Sequence, residues 1–442
     1  MALEATSARP SNKAVVSPPP SDKRPLLDSP AFIVLIALVL RIAVISLGDT
    51  YRITPRQDHF QFGWEMGRIA RSIATSHGFS SPTDFDTGPT AWEPPLYPYL
   101  MALIFRLFGV YSHTSAWLLL TINSIFSALT CLTIFRIAAR LFGTTPACWA
   151  AWTWALFPYA IYWPVRLVWE TSLSTFLLSL AFLLTLRIQK SAQRRDCVSL
   201  GLVWGAIALA NPALLSFMVL SLVWLWYCLR RCRLPAAPYL LLVIVLFSLL
   251  IAPWLVRNYH VFGQFVFIRD NFGMELHLAN NEHSGGLWTR SEHPGNDPEQ
   301  MRKFRDMGEL AYMKAEKQAA VTFIREHPLQ FLRFNLQRAV YFWIGNPQAT
   351  LVGNWSLAPA RHLAFLLSAI AAFVGLGLCW RNRVCGTLLF VALILVYPVP
   401  YYVAHPSPRY RHAIEPEMLL LIIYMFWQLR GRKLHLPLPT TG

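Results

Sequence analysis

Asp58 and His59 stand side by side in RQDHFQFGWEMGRIARSIATSHGF (56–79), directly after an apolar run. An acid beside an imidazole could decorate a surface, cap a helix or draw a proton from a hydroxyl. From Phe60 to Ile73, Phe62, Met66, Ile69 and Ile73 recur at three- and four-residue spacing, with Arg68, Arg71 and Ser72 between them. That pattern predicts a helix lying in a membrane interface, with Asp58 at its N-terminus. There the carboxylate would satisfy orphan N–H groups, and the same cap would hold it rigidly enough to act as a base. Successive helical residues diverge by about 100°, which aims His59 elsewhere.

The elements that must position this pair belong to a membrane chain. Of 442 residues, 55% are hydrophobic and 14% charged, and mean hydropathy is +0.39. A soluble domain carries roughly a quarter charged residues. Apolar runs of near-spanning length recur and are closed by Arg or Lys, as in polytopic helical membrane proteins. The net charge of +16 gathers in RIQKSAQRRD (187–196), LRRCR (229–233), WRNR (380–383) and LRGRK (429–433). Basic clusters flanking apolar segments mark cytoplasmic loops, and this placement argues against a nucleic-acid partner.

Ten spans are expected, near 31–48, 115–136, 147–163, 171–187, 198–211, 213–229, 238–256, 361–379, 384–402 and 416–429. Asn211-Pro212 predicts a hairpin between the fifth and sixth. Residues 1–29, rich in Pro, Ser and charge, read as a disordered cytoplasmic tail, and 431–442 as a second one. An N-terminal transmembrane module (30–256) carries a first outer loop (49–114). A larger outer loop (257–360) and the last spans (361–430) complete the expected organisation. Cys131, Cys148, Cys197, Cys228, Cys232, Cys379 and Cys385 fall in helices or at their cytoplasmic ends, which argues against a disulfide framework. His59, His77, His113, His260, His277, His283, His293, His405 and His412 all fall outside, so polar chemistry concentrates on that face. Arg41 lies inside the first span, where snorkelling towards the outer end would relieve a cost of about 2.5–3.5 kcal/mol. After the turn-rich SSPTDFDTGP (80–89), TAWEPPLYPYLMALIFRLFG (90–109) reads as a second interfacial helix, with a tilted span as the alternative. Within the larger loop, PEQMRKFRDMGELAYMKAEKQAAVTFIREHPLQFLRFNLQRAVYFW (298–343) reads as two or three helices that cap a cavity and select the acceptor.

A first span, an outer loop with an early Asp, two surface helices and a Pro-Pro-Leu-Tyr turn together resemble the GT-C membrane glycosyltransferases. The aminoarabinose–lipid A transferase and protein O-mannosyltransferase-like branch is nearest. LFG (107–109), ARLFG (139–143), FPYAIYWPVRLVWETSLS (157–174), APWLVRNYHVFG (252–263), FIREHP (323–328) and HPSPRYRHAIEP (405–416) carry the match. The resemblance implies an all-α GT-C-like bundle of about ten transmembrane helices, with two interfacial helices in the first outer loop. It implies transfer of a sugar from a polyprenyl-phosphate carrier to an envelope lipid, glycan or protein at the outer face, with inversion. It further implies a bacterial inner (plasma) membrane with both termini cytoplasmic, no organic cofactor, and room for a divalent metal ion.

By that resemblance Asp58 is the general base, and His59 a metal ligand or a tuner of its pKa. Glu93 stands where the aminoarabinose transferases have Lys, and Trp92 where they have an acid, so neither the Lys contact nor that branch's metal site carries over. Glu93 is then a metal or acceptor contact, or a plain loop acid, and Tyr97 lines the acceptor pocket or cavity. Glu170 is the second-loop acid; Arg166, four residues earlier, is expected either to pair with it structurally or to join the cavity. Arg409 and Arg411, two apart in an extended chain, and Arg257 are candidates for the donor phosphate, with interfacial anchoring as the bland alternative. Glu282 and His283 offer no ligand spacing. A transporter would carry ionisable residues at mid-membrane and repeated halves, and a polysaccharide polymerase or ligase would lack the early Asp.

Overall fold

The computed structural model describes residues 26–53, 60–347 and 358–431. Every regular element among them is helical. Helix α1 (Pro30–Leu47) starts with Pro at its first position and stops at Gly48, as its fixed φ and missing N–H favour. The first outer loop contributes α2 (Glu65–Ala74) and α3 (Leu96–Phe108). The chain then forms α4 (His113–Leu141), α5 (Thr144–Leu156), α6 (Pro158–Arg166), α7 (Thr171–Ser191), α8 (Arg194–Ala210), α9 (Leu215–Arg231) and α10 (Ala236–Phe262). The larger outer segment holds α11 (Phe272–Ala279), α12 (Pro298–Met307), α13 (Glu309–Glu326) and α14 (Pro328–Ile344). Closing the fold are α15 (Ala358–Arg381), α16 (Thr387–Val396), α17 (Val399–Val403), α18 (Pro408–His412) and α19 (Glu415–Leu429).

Six of these stretches are long and apolar enough to cross a bilayer: Pro30–Leu47, His113–Leu141, Thr171–Ser191, Pro212–Arg231, Ala236–Phe262 and Pro359–Arg381. Large apolar side chains on α10 and α15, including Leu241, Leu249, Leu363, Leu367 and Ile370, are more than half exposed, as lipid-facing residues are. The chain is a multi-pass membrane protein. The other expected spans are shorter or broken. Pro158 divides 147–163 into α5 and α6, and Pro398 separates α16 from α17, because proline removes a helical N–H and clashes with the preceding turn. The hairpin at Asn211-Pro212 is present: the Asn211 side chain accepts from the Ala213 N–H at 3.3 Å.

Helix α4 packs against α1, α5 and α7 at the centre, α8 packs along α10, and α15 along α19. Arg41 departs from the snorkelling expectation. It is fully buried and donates to the carbonyls of Ala37 and Ala155 at 2.9 and 3.1 Å, Trp154 and Ala160 at 3.3 and 3.4 Å, and the Ser127 hydroxyl at 3.1 Å. Pro158 leaves the Trp154 carbonyl, and Pro164 the Ala160 carbonyl, without the helical N–H four residues on, and Arg41 donates to both.

The outer helices rest on this bundle. Helix α2 begins at Glu65, after a 3₁₀ turn at Phe60–Phe62, and its N-cap position is Trp64. Asp58 is therefore not its cap, and Asp58 and His59 lie outside the described residues. Helix α3, thirteen residues long, rises only about 20 Å, too short to span, and buries Tyr97, Met101, Ala102 and Phe105 as a surface helix. The stretch 298–343 forms three helices, α12, α13 and α14, within the expected two or three; α11 precedes them, and α10 continues to Phe262 before this segment begins. It is latched to the first loop through Glu309, which accepts from Thr90 Oγ1 at 2.5 Å and Ala91 N at 2.6 Å. Arg338 of α14 ties it inward, donating to the carbonyls of Gly286, Ala279, Tyr402 and Val403.

Candidate active site

Between α6 and α7 the chain is extended at Leu167 and delivers Glu170 to the start of α7. Three contacts fix that path. Asn123 of α4 donates to the carbonyls of Leu167 and Trp169, both at 3.2 Å. Tyr97 of α3 donates its hydroxyl to Asn123 Oδ1 at 3.0 Å. The segment just after Asp58 joins from the other side: Val168 N donates to Gln61 O at 2.8 Å, and Trp169 Nε1 to Phe60 O at 2.9 Å.

Glu170 faces Arg409, with Oε2 and Nη1 4.0 Å apart. The Arg409 guanidinium lies over the Trp169 ring, 4.0 Å from its centroid, and over Tyr410 at 5.0 Å. Around this pair stand Glu93 with Arg269 at 3.7 Å, Glu275 with His405 at 3.6 Å, and Glu65 with His293 at 3.5 Å. Each contact stops short of a hydrogen bond. Among the described residues, Glu170 Oε2, Glu275 Oε2, His405 Nδ1 and Arg409 Nη1 consequently find no hydrogen-bond partner. Arg409 and Glu275 each retain 23% side-chain exposure, so the cluster is reachable from outside.

Charge here is tuned by burial. Desolvation pushes the Glu65 carboxyl up to about 7 despite Arg68, and Glu93 up to about 8 against the pull of Arg269. Both values sit where a carboxyl can exchange protons near neutral pH. Burial lowers His293 to about 4. Its Nδ1 accepts from Gly295 N at 3.1 Å, so the neutral ring turns an Nε2–H towards Glu65. The arrangement can hold an anion at Arg409 and place carboxylates beside a hydroxyl.

The sequence candidates divide sharply. Glu170, Arg409 and Glu93 come together. Arg411 does not: Pro408 at the first helical position starts α18, so residues two apart diverge instead of sharing a side as an extended chain would allow. Arg411 is buried and donates to Trp343 O at 2.7 Å, Phe365 O at 3.2 Å and Ser368 Oγ at 2.5 Å, with Glu415 at 3.9 Å. Arg166 is exposed and makes no pair with Glu170, because the extended residues after α6 break the helical register. Arg257 donates to the carbonyls of Thr90 and Phe79 at 2.8 and 3.0 Å and lies over Trp254, which makes it a clamp on the first loop. Tyr97 is almost wholly buried and supports the site through Asn123. Glu65, Arg269, Glu275, His293 and His405 were missed as site residues; the one legible signal was the outward bias of histidine.

For a metal ion, no group of three or more His, Cys, Asp or Glu side chains among the described residues could hold one. Glu93 is turned to Arg269, Glu282 and His283 are exposed, and His59 lies outside the described residues. No ligand set is assigned.

The dolichyl-phosphate-mannose-protein mannosyltransferase family model matches residues 92–256. Among solved structures, the oligosaccharyltransferase of Archaeoglobus fulgidus in complex with Zn and sulfate is similar at TM-score 0.54 and 14% identity, covering 90% of this chain and 49% of that one. The same enzyme, tethered by a disulfide bond to an acceptor peptide containing the NVT sequon, gives TM-score 0.55 and 14% identity over 91% and 50%. ArnT from Cupriavidus metallidurans bound to undecaprenyl phosphate matches at TM-score 0.39 and 14% identity over 91% and 77%. The chain spans about half the length of the oligosaccharyltransferase. Among curated proteins, none matches. The fold is of the GT-C type, and the resemblance drawn from the motif order holds.

Proposed function

We propose that this protein is a glycosyltransferase that moves a sugar from a polyprenyl-phosphate carrier to an acceptor hydroxyl on an envelope lipid, glycan or protein. The observation that carries the reading is Arg409, held over Trp169 beside Glu170 at the α6–α7 junction of a GT-C-type fold, with Nη1 free of hydrogen bonds among the described residues. A carboxylate draws the acceptor proton, the acceptor oxygen attacks the anomeric carbon from the side opposite the phosphate, and the carbon–oxygen bond to the carrier breaks. The electron pair leaves with the polyprenyl phosphate, whose charge Arg409 meets, and the anomeric centre inverts.

Asp58 is the proposed base. Its support is that Phe60 and Gln61, just beyond it, are hydrogen-bonded to Trp169 and Val168, the residues leading into Glu170. Glu170 is proposed to orient Arg409, and Glu93 to contact the acceptor. We assign the site to the outer face of a bacterial inner membrane, with both termini cytoplasmic. Support comes from the basic clusters Arg194–Arg195, Arg230–Arg231 and Arg381–Arg383, which close helices or turns at the opposite end of the bundle.

The test is transfer by purified protein from a panel of polyprenyl-phosphate sugars, wild type beside Asp58→Asn. The expected result is transfer by the wild type and its loss in the variant. Full activity in Asp58→Asn would remove Asp58 as base. No transfer from any donor, with substrate flux in vesicles, would replace the reading with a transporter.

A further inference from the structure

Trp64 breaks a backbone rule. Its φ of 48° and ψ of −113° lie outside the regions a bulky L-residue favours. Gly63 before it has a φ of 78°, and a Cβ there would stand 2.9 Å from the Val168 carbonyl. Such strain persists only where surrounding structure enforces it, and it concentrates at ligand sites. The consequence is that Trp64 leaves the path of α2 and stacks on Trp288 of the larger outer segment, at 5.9 Å between centroids and 27° between planes. Both rings are half-buried, and the buried Trp64 Nε1 has no hydrogen-bond partner among the described residues. A pair placed only for packing would be covered, with its N–H satisfied.

What surrounds the pair narrows its ligand. Trp64 adjoins Glu65 in sequence, Trp169 lies 6.3 Å from it, and His293 lies 5.6 Å from Trp288. An aromatic face beside the Glu65 carboxyl and the His293 ring suits a molecule with one C–H face and a rim of hydroxyls, which describes a neutral sugar ring. Arg409 stands over the far side of the same aromatic run, at Trp169. A ring on Trp64 and Trp288 would thus lie beside the cation that meets the phosphate.

We infer that Trp64 and Trp288 form a stacking platform for the sugar ring of the lipid-phosphate donor, an inference that rests on the transfer reading above. The experiment measures binding, by tryptophan fluorescence and calorimetry, of two kinds of probe to full-length protein in detergent. One is undecaprenyl phosphate carrying mannose, glucose or arabinose, and the other is bare undecaprenyl phosphate. Wild type is expected to bind at least one sugar-bearing probe more tightly than the bare carrier. Trp288→Ala should lose about two- to tenfold on that probe alone, as stacking energies imply, and Trp288→Phe should recover most of it. Equal loss on both probes, or undiminished discrimination in Trp288→Ala, would overturn the platform while leaving transfer intact. A wild type that neither discriminates nor transfers would overturn both.

Discussion

Arg409 and Arg411 are two residues apart, yet one faces the acidic cluster and the other the bundle. Arg409 meets Glu170 at 4.0 Å with a donor to spare, whereas Arg411 places four of its contacts on Trp343, Phe365, Ser368 and Glu415. Their substitutions should therefore fail differently. Arg409→Gln is expected to keep the thermal midpoint near wild type while transfer falls by about a hundredfold or more, in line with loss of a charge-stabilising donor. Arg411→Gln should instead lower the midpoint, by about 2–5 kcal/mol of lost stability, as buried donors to carbonyls are removed. Thermal unfolding and transfer kinetics on the same preparations check this. Equal behaviour of the two variants would contradict the division.

The contact between the two loop segments is expected to weaken as pH rises. Glu309 and Asp270 share a buried site beside Thr90 and Ala91, and desolvation raises both carboxyls above the usual range, with repulsion from Asp270 adding to the rise at Glu309. A raised folded pKa means that the folded state binds protons more tightly than the unfolded one. The stability from this latch is then fully present below the unfolded carboxyl pKa near 4.3, and is lost as pH rises through the folded values. Limited proteolysis of the outer segments should accelerate between pH 5 and pH 9 (roughly the range over which raised carboxyls ionise). Glu309→Gln, which retains an acceptor for Ala91 N, should flatten that dependence. An unchanged slope in the variant would exclude the latch as its source.

The membrane architecture was legible because hydropathy and flanking charge act over whole segments, so single residues matter little. The breaks at Pro158 and Pro398 were not anticipated: periodicity continues across them, and a proline inside an apolar run can also be tolerated. Asn211-Pro212 was read correctly because the basic residues on both sides had to share a face. At the candidate site, Glu170, Glu93 and Arg409, which motif order singled out, lie together, but their partners were not legible. His293 and Glu65, or Glu275 and His405, are brought together from distant segments, and no local spacing encodes such meetings. Arg411 misled because prolines on both sides suggest extended chain, whereas Pro408 also suits the first position of a helix.

Arg41 should be essential to folding. It serves carbonyls on both sides of the α5–α6 break and the Ser127 hydroxyl. Arg41→Leu would remove these donors inside the bilayer, leaving the Ala160 carbonyl with the Ser127 hydroxyl alone, at a cost of about 3–5 kcal/mol. The expected outcome is a monodisperse wild type and an aggregated or poorly inserted variant on size-exclusion chromatography. Normal yield and midpoint for Arg41→Leu would show that the carbonyls find other partners.

The seam between α15 and α19 offers a sharper mechanical test. A Cβ on Gly375 would lie 2.1 Å from the Leu421 carbonyl oxygen and 2.7 Å from its carbon, a backbone contact that cannot rotate aside. Gly377, two residues on, has nothing within 4 Å. Small residues at such seams let helical backbones approach, and a methyl group there must push them apart. Helix α19 carries Glu415 at its outer end, which accepts from or donates to His412 at 2.7 Å and faces Arg411 at 3.9 Å. Both belong to α18, the turn that presents Arg409. Displacing α19 should therefore disturb the site as well as the seam. Gly375→Ala is expected to lower both thermal midpoint and transfer, while Gly377→Ala leaves both at wild-type values. If Gly375→Ala matched Gly377→Ala in both measurements, the seam would have more slack than its geometry allows, and α19 would not be what holds α18 in place.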